Sequence, residues 1–323
     1  MKEEESEEDG EELIDLEQEN AINEKITPKN EYINNKKTKS TNIHKRKMNK
    51  ILIISLSIIL PLILILYLYQ KNKNKIPKEL QKNSKIKTLI IFDFDKTLTI
   101  KDVFEEQRFL LPTKEEQEDI MERLNYENWT LLMSSFYNRI HDLNISISDI
   151  NANIDKIEYN PGMLELLQYF ENHKDKYSLV ILSAGHYIQV IRALEKYNLT
   201  NLFDEIVAIP SHIENGKIII MQGHKYDCDI CNVGQCKTFE YNLLIDKFKN
   251  KNISFDKEYY ICDGLNDFCL ARNLKENDAV FVRENFTLYK ALYEKGWINN
   301  ITCVVESWNN GYDIIDYIKK KEE

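Results

Sequence analysis

Leu89-Ile90-Ile91-Phe92-Asp93-Phe94-Asp95-Lys96-Thr97-Leu98-Thr99 is the stretch on which the fold turns. A short apolar run stops at Asp93, a second acid follows at Asp95, and the chain then becomes polar. Such a run ending in charge reads as a buried parallel strand whose C-terminal tip carries chemistry. Side chains alternate along an extended segment, so Asp93 and Asp95 start on one side and can converge on one cation or phosphate. Two carboxylates brought together repel, and a hard divalent ion is their natural partner. The blander reading of the same residues is a strand end with two solvated acids.

Outward from this stretch the chain alternates strand and helix. Strands are predicted at 87–92, 178–183, 204–209, 258–262, 278–282 and 301–305. Helices are predicted at 163–173, 187–197, 237–250, 286–295 and 310–320. That alternation implies an α/β fold with a parallel sheet and helices on both faces. Asn215-Gly216, between Ser211–Glu214 and Lys217–Met221, signals a hairpin. Residues 100–160 do not alternate, and Glu115 to Leu143 carries helical periodicity, with Ile120, Leu124, Leu131 and Met133 among its apolar positions. Acids outnumber bases over 87–323, which argues against nucleic acid as a partner. Nothing in the sequence names a protein partner.

The segment before residue 87 has another character. Residues 1–35 are acidic and poor in apolar groups, and 36–50 turn basic, so 1–50 reads as a disordered tail. Ile51 to Tyr69 is an uncharged run of nineteen residues, close to the length a helix needs to cross a bilayer. Pro61 and the serines are tolerable there, and Tyr67 and Tyr69 suit an interface. Residues 70–86 are rich in Lys and Asn and read as a tether. Seven of the fifteen residues before the run are Lys or Arg, against five of the fifteen after it. The expectation is a single-pass protein with its tail cytosolic and residues 87–323 lumenal or extracellular. Six sequons lie beyond the run, at Asn128, Asn144, Asn198, Asn252, Asn285 and Asn300.

The pattern D-x-D-x-T at a strand end resembles the first motif of the haloacid dehalogenase-like (HAD) phosphatases. Further stations follow in order: Ser183 after Leu179-Val180-Ile181-Leu182, Lys237 at a helix start, and Asp263 and Asp267 in Cys-Asp-Gly-Leu-Asn-Asp. The resemblance implies a HAD-type sheet over 87–323, with a small helical cap over about 100–160. It implies Asp93 as the nucleophile that forms an aspartyl phosphate and Asp95 as general acid, then base. Ser183, Lys237 and Thr97 would bind the phosphoryl group. Asp93, Asp95 and Asp263 would hold Mg2+, with Asp267 orienting Lys237 or a metal-bound water and Gly264 allowing a tight turn. Alone, Ser183 also reads as a helix cap and Lys237 as a solvated helix lysine.

Cys228-Asp-Ile-Cys231-Asn-Val-Gly-Gln-Cys236-Lys237 and Asp263-Gly-Leu-Asn-Asp-Phe-Cys269 are similar to motifs of one branch. It holds the phosphoethanolamine/phosphocholine and pyridoxal phosphate phosphatase-like enzymes. Asn160-Pro-Gly-Met163 followed by Leu166-Leu-Gln168 matches it as well. Two acids that the branch uses for a cationic head group are missing: Ala184 follows the motif serine, and Phe104 stands early in the cap with Asp102 nearby. His186 is a candidate head-group contact or a helix cap. Cys228, Cys231 and Cys236 leave three readings open: zinc with His224 as fourth ligand, a disulfide, or packing. Cys262, Cys269 and Cys303 read as core. The implied function is a membrane-anchored, Mg2+-dependent phosphomonoesterase acting on a small phosphorylated metabolite. A phosphotransferase of the same superfamily and an anchored non-catalytic binding domain are the alternatives.

Overall fold

β1 (Lys87–Phe92) lies at the centre of the sheet and is buried on both faces. A computed structural model describes residues 87–124, 128–224, 228, 230–231 and 235–322. Four helices follow β1: α1 (Val103–Gln107), α2 (Lys114–Arg123), α3 (Trp129–Asp142) and α4 (Ile147–Ile154). The chain continues through α5 (Met163–Asn172), β2 (Tyr177–His186), α6 (Tyr187–Glu195), β3 (Glu205–Ile209) and the hairpin β4 (Ser211–Glu214) and β5 (Lys217–Ile220). It ends with α7 (Lys237–Asn250), β6 (Phe255–Cys262), α8 (Phe268–Ala271), β7 (Ala279–Arg283), α9 (Thr287–Glu294), β8 (Val304–Trp308) and α10 (Gly311–Glu322).

The main sheet has six strands in the order β3-β2-β1-β6-β7-β8, and every pairing in it is parallel. Alternation along β1 sorts its core. Ile90 and Phe92 point into one apolar layer with Leu166 and Phe170 of α5, Val190 and Leu194 of α6, and Ile314 and Ile318 of α10. Leu89 and Ile91 point into the other, with Leu244 and Phe248 of α7, Leu270 of α8, and Leu288 and Leu292 of α9. A strand buried on both faces has no polar face to show, which is why β1 is an unbroken apolar run. After β1 the chain adds β2 on one side and later β6 on the other. The C-terminal tip of β1 is therefore the switch point where open parallel sheets place ligands.

Several sequence expectations shift in detail. β2 runs past Ser183 to His186, with an irregular register against β3 between Leu182 and His186. The periodic stretch from Glu115 to Leu143 is two helices, the second capped by the Asn128 side chain accepting from the N–H groups of Thr130 and Leu131. Leu131 is 63 % exposed, so it lies off the buried face that Ile120 and Met133 share. The hairpin forms where Asn215-Gly216 places it, with φ of 49° and 75°. α3 packs on β5, and α6 on β4. Segments 1–50, 51–69 and 70–86 lie outside the described residues. Among the described residues no helix is long and apolar enough to cross a membrane.

Candidate active site

β1 ends at Phe92 because the chain leaves the sheet in one wide turn over Phe94–Leu98, where Asp95 has φ −68°, ψ 132° and Lys96 has φ 58°. Asp93 stands at the sheet edge, and its N–H donates to the Ile261 carbonyl of β6 at 2.9 Å. Asp95 belongs to the turn, so strand alternation is not what places it.

Lys237, the first residue of α7, is wholly buried. Its Nζ lies 2.6 Å from Asp93 Oδ1 and also bonds Asp267 Oδ1. Burial works against the ammonium, but Asp267 and Asp93 outweigh it, and its pKa rises. Both oxygens of Asp267 are engaged. Oδ1 accepts from Lys237 and the Tyr260 hydroxyl. Oδ2 accepts from the N–H groups of Asp263 and Gly264 at 3.2 and 2.8 Å. Asp263 Oδ1 accepts from the Thr97 hydroxyl at 3.2 Å. Gly264, expected to allow a tight turn, has φ −99° and ψ 161°. A Cβ there would stand 2.3 Å from Asn266 Oδ1, so any side chain would have to displace the Asn266 amide.

Carboxylate oxygens of Asp93, Asp263 and Asp267 lie within 4.8 Å of one another. Three buried carboxylates face one buried ammonium. Burial pushes Asp93 up to about 6, with Lys237 pulling against it. Burial, then Asp93 and Asp267, raises Asp263 well above the usual carboxylate range. This excess of buried negative charge and hard oxygen donors fits a small divalent cation held by Asp93 and Asp263. Asp95 is not in the group. Its Oδ1 accepts from the Val103 N–H at 2.8 Å, at the start of α1. Burial, then Asp102, raises its pKa well above the ordinary value, which suits a proton donor.

Ser183 is buried, and its Oγ accepts from the Gly185 N–H at 2.9 Å rather than capping α6. A Cβ on Gly185 would sit 2.5 Å from Gln189 Nε2, 3.0 Å from Asp95 Oδ2 and 3.2 Å from Ser183 Oγ. Gln189, Asp95 and Ser183 thus all border Gly185, where a side chain would collide with them. His186 is neither an exposed cap nor open to solvent. It is fully buried, with Nε2 2.6 Å from the Tyr137 hydroxyl and Nδ1 3.2 Å from Ser211 Oγ. Tyr137 donates to Gln107 Oε1, so Nε2–H donates to Tyr137 and Nδ1 accepts from Ser211. Burial drives its pKa down to about 3 and keeps the ring neutral.

The sequence reading missed Arg283, at the tip of β7, and the use made of Asn160. The Arg283 guanidinium donates to the Lys96 carbonyl and, at 2.7 Å, to Asn160 Oδ1. Asn160 Nδ2 donates to the carbonyls of Thr97 and Thr99 at 2.7 and 2.9 Å. Together they clamp the turn that carries Asp95. A lone cation ending Ala279-Val-Phe-Val282 was the available signal. Trp129 Nε1 donates to the Ala184 carbonyl at 2.7 Å, another contact between α3 and the site that no local pattern announces. Cys269 is buried as expected, and its sulfur meets those of Cys228, Cys231 and Cys236. His224, the candidate fourth ligand of the zinc reading, pairs with Glu240 at 2.8 Å.

A family model described as "Putative Phosphatase" matches residues 88–321. The pyridoxal phosphate phosphatase PHOSPHO2 of Mus musculus is 25% identical over 236 residues, covering 72% of this chain and 98% of that protein. The phosphoethanolamine/phosphocholine phosphatase of Gallus gallus is 21% identical over 237 residues, covering 72% and 88%. Among solved structures, a substrate-bound phosphoserine phosphatase complex aligns with a TM-score of 0.50 at 17% identity, covering 72% of this chain and 98% of that one, a likeness of fold.

Proposed function

The chain belongs to the HAD-like phosphatases and is a phosphoric monoester hydrolase, and from that premise we propose that it is a Mg2+-dependent, membrane-anchored enzyme working through a phosphorylated Asp93. The observation that carries the mechanism is the buried Asp93 carboxylate held by Lys237 at 2.6 Å, with Asp95, its pKa raised by burial, two residues on.

An oxygen of Asp93 attacks phosphorus in line as the ester oxygen leaves. Asp95 gives the leaving oxygen its proton. Its carboxylate then takes a proton from water, which attacks the aspartyl phosphate and frees phosphate and Asp93. Lys237, the Ser183 hydroxyl and Thr97 meet the charge that spreads over the phosphoryl oxygens. Asp267 holds Lys237 and the Asp263 turn in place. Asp93 and Asp263 would hold Mg2+, which would supply positive charge against the charge that develops on the phosphoryl group.

The substrate side supports a neutral or anionic ester over a cationic one. Phe104 is fully buried against Trp129, Phe136 and Tyr137, and Ala184 has no charge to offer. Asp102 caps α1 by accepting from the Glu105 N–H at 3.0 Å. Among the described residues, buried Gln107 Nε2 and both amide atoms of Gln189 have no partner, and a substrate hydroxyl or carbonyl would satisfy them. The anchor reading rests on the 51–69 run and its flanking charges, and all six sequon asparagines are exposed.

Hydrolysis of p-nitrophenyl phosphate with Mg2+, and its loss in chelator, tests the reaction. Transfer of the phosphoryl group to added alcohols in preference to water would make the enzyme a transferase. Glycosidase treatment of the protein from cells tests orientation: a mobility shift supports a lumenal or extracellular domain, and no shift counts against it.

A further inference from the structure

Four of the six cysteines meet at one point. The sulfurs of Cys228, Cys231, Cys236 and Cys269 all lie within 4.8 Å of one another, and the first three come from the loop before α7, the last from α8. Cys231, Cys236 and Cys269 are buried, Cys228 is half-buried, and none of the six cysteines forms a disulfide. Cys231 and Cys269 are 3.3 Å apart, well beyond the roughly 2.05 Å of an S–S bond. Four sulfurs each about 2.3 Å from a zinc ion at tetrahedral corners stand roughly 3.8 Å from one another.

A further feature points to a metal. Packing alone asks sulfur to meet carbon, whereas here the sulfurs meet each other, with Ile230 and Phe239 packed against them.

We propose that Cys228, Cys231, Cys236 and Cys269 bind one structural zinc ion as a tetrathiolate. Each thiol gives up its proton on binding, and four protein ligands leave no open position for catalysis. The ion would tie the residue before Lys237 to the turn that carries Asp263 and Asp267, so that the ammonium and its two carboxylates keep their places. The inference is independent of the phosphatase reading and of the Mg2+ site.

Metal content of the full-length protein, purified in reductant without chelator or added metal, tests it. The expected result is about one zinc per chain, with four thiols protected from titration until zinc is removed. Cys269→Ser should bring zinc to background, and His224→Ala should leave it unchanged. Should Cys269→Ser fail to accumulate, wild-type protein exchanged with Co2+ reports instead, through the thiolate-to-cobalt charge-transfer and visible bands of a tetrahedral site. Zinc-free protein with every thiol reactive, a disulfide found by mass spectrometry, or zinc lost in His224→Ala but kept in Cys269→Ser would each overturn the proposal.

Discussion

The sheet side and the cap side of the site are built on opposite principles. On the sheet side Lys237 sits between Asp93 and Asp267, and both oxygens of Asp267 are bonded. Facing it, where the cap helices α1 and α3 meet the ends of β2 and α6, stand uncharged groups: Phe104, Tyr137, a neutral His186 and the amides of Gln107 and Gln189, three of whose atoms lack partners among the described residues. The difference separates two tasks. A charged network closed on itself is held ready for one reaction whatever the ester. A neutral wall with unsatisfied amides selects by what it can hydrogen-bond and rejects a charge it cannot pair.

The largest effect should come from the sheet side. Asp93→Asn keeps the shape and removes the nucleophile, and kcat on p-nitrophenyl phosphate should fall by about 10³-fold or more. A variant that keeps substantial turnover would end the aspartyl-phosphate mechanism. Next is Lys237→Met, which strands Asp93 and Asp267 as buried charges without a cation. Urea unfolding should show a loss of about 3–5 kcal/mol. Adding Asp267→Asn should recover part of it, because the two positions are coupled. Strict additivity would show that the pair is not the unit it looks to be.

The cap side is tested by Ala184→Asp, which adds a carboxylate where the neutral wall has none. Relative kcat/KM for phosphocholine or phosphoethanolamine over a neutral ester should rise roughly ten- to a hundred-fold, the worth of about 1.5–3 kcal/mol for a contact to a charged group. Efficient wild-type hydrolysis of phosphocholine would break the contrast and make Asp102 the first suspect for the missing charge.

The smallest effect is one of pH. Burial holds Asp93 near 6, above its ordinary 3.8. Between those values the folded chain binds the proton more tightly than the unfolded one. The stability this contributes is complete below 3.8 and is lost as pH rises through about 6. Mg2+ binds the ionised carboxylate and offsets that loss. Calorimetry should find that Mg2+ raises Tm more at neutral pH than at about pH 4.5, by roughly 2–4 °C for each kcal/mol in a domain of this size. Equal increments at both would argue that the ion binds elsewhere.

Local pattern carried much of this molecule. The apolar run before Asp93, the strand and helix alternation and the Asn215-Gly216 turn depend on neighbours in the chain, and each is visible in a window of a few residues. The same holds for Lys237 opening a helix and for Asp263 and Asp267 following a strand. These features determined a parallel α/β sheet, the strand tip where the acids stand and the reaction class their residue types imply.

Only the tertiary structure decided how those residues are used, because burial and partner choice depend on elements far apart in sequence. Asp267 has both oxygens occupied once β1, α7 and β6 are side by side, which leaves Asp93 and Asp263 free for a cation. Asp95 leaves the carboxylate group because the chain turns at Phe94. His186 becomes a buried, neutral link once α3 brings Tyr137 to it. Cys269, apolar in its local context, joins three sulfurs more than thirty residues away because α8 packs on the start of α7. A periodic pattern reports that a side chain faces inward, and the order of the strands and the packing of helices across them decide what it meets there.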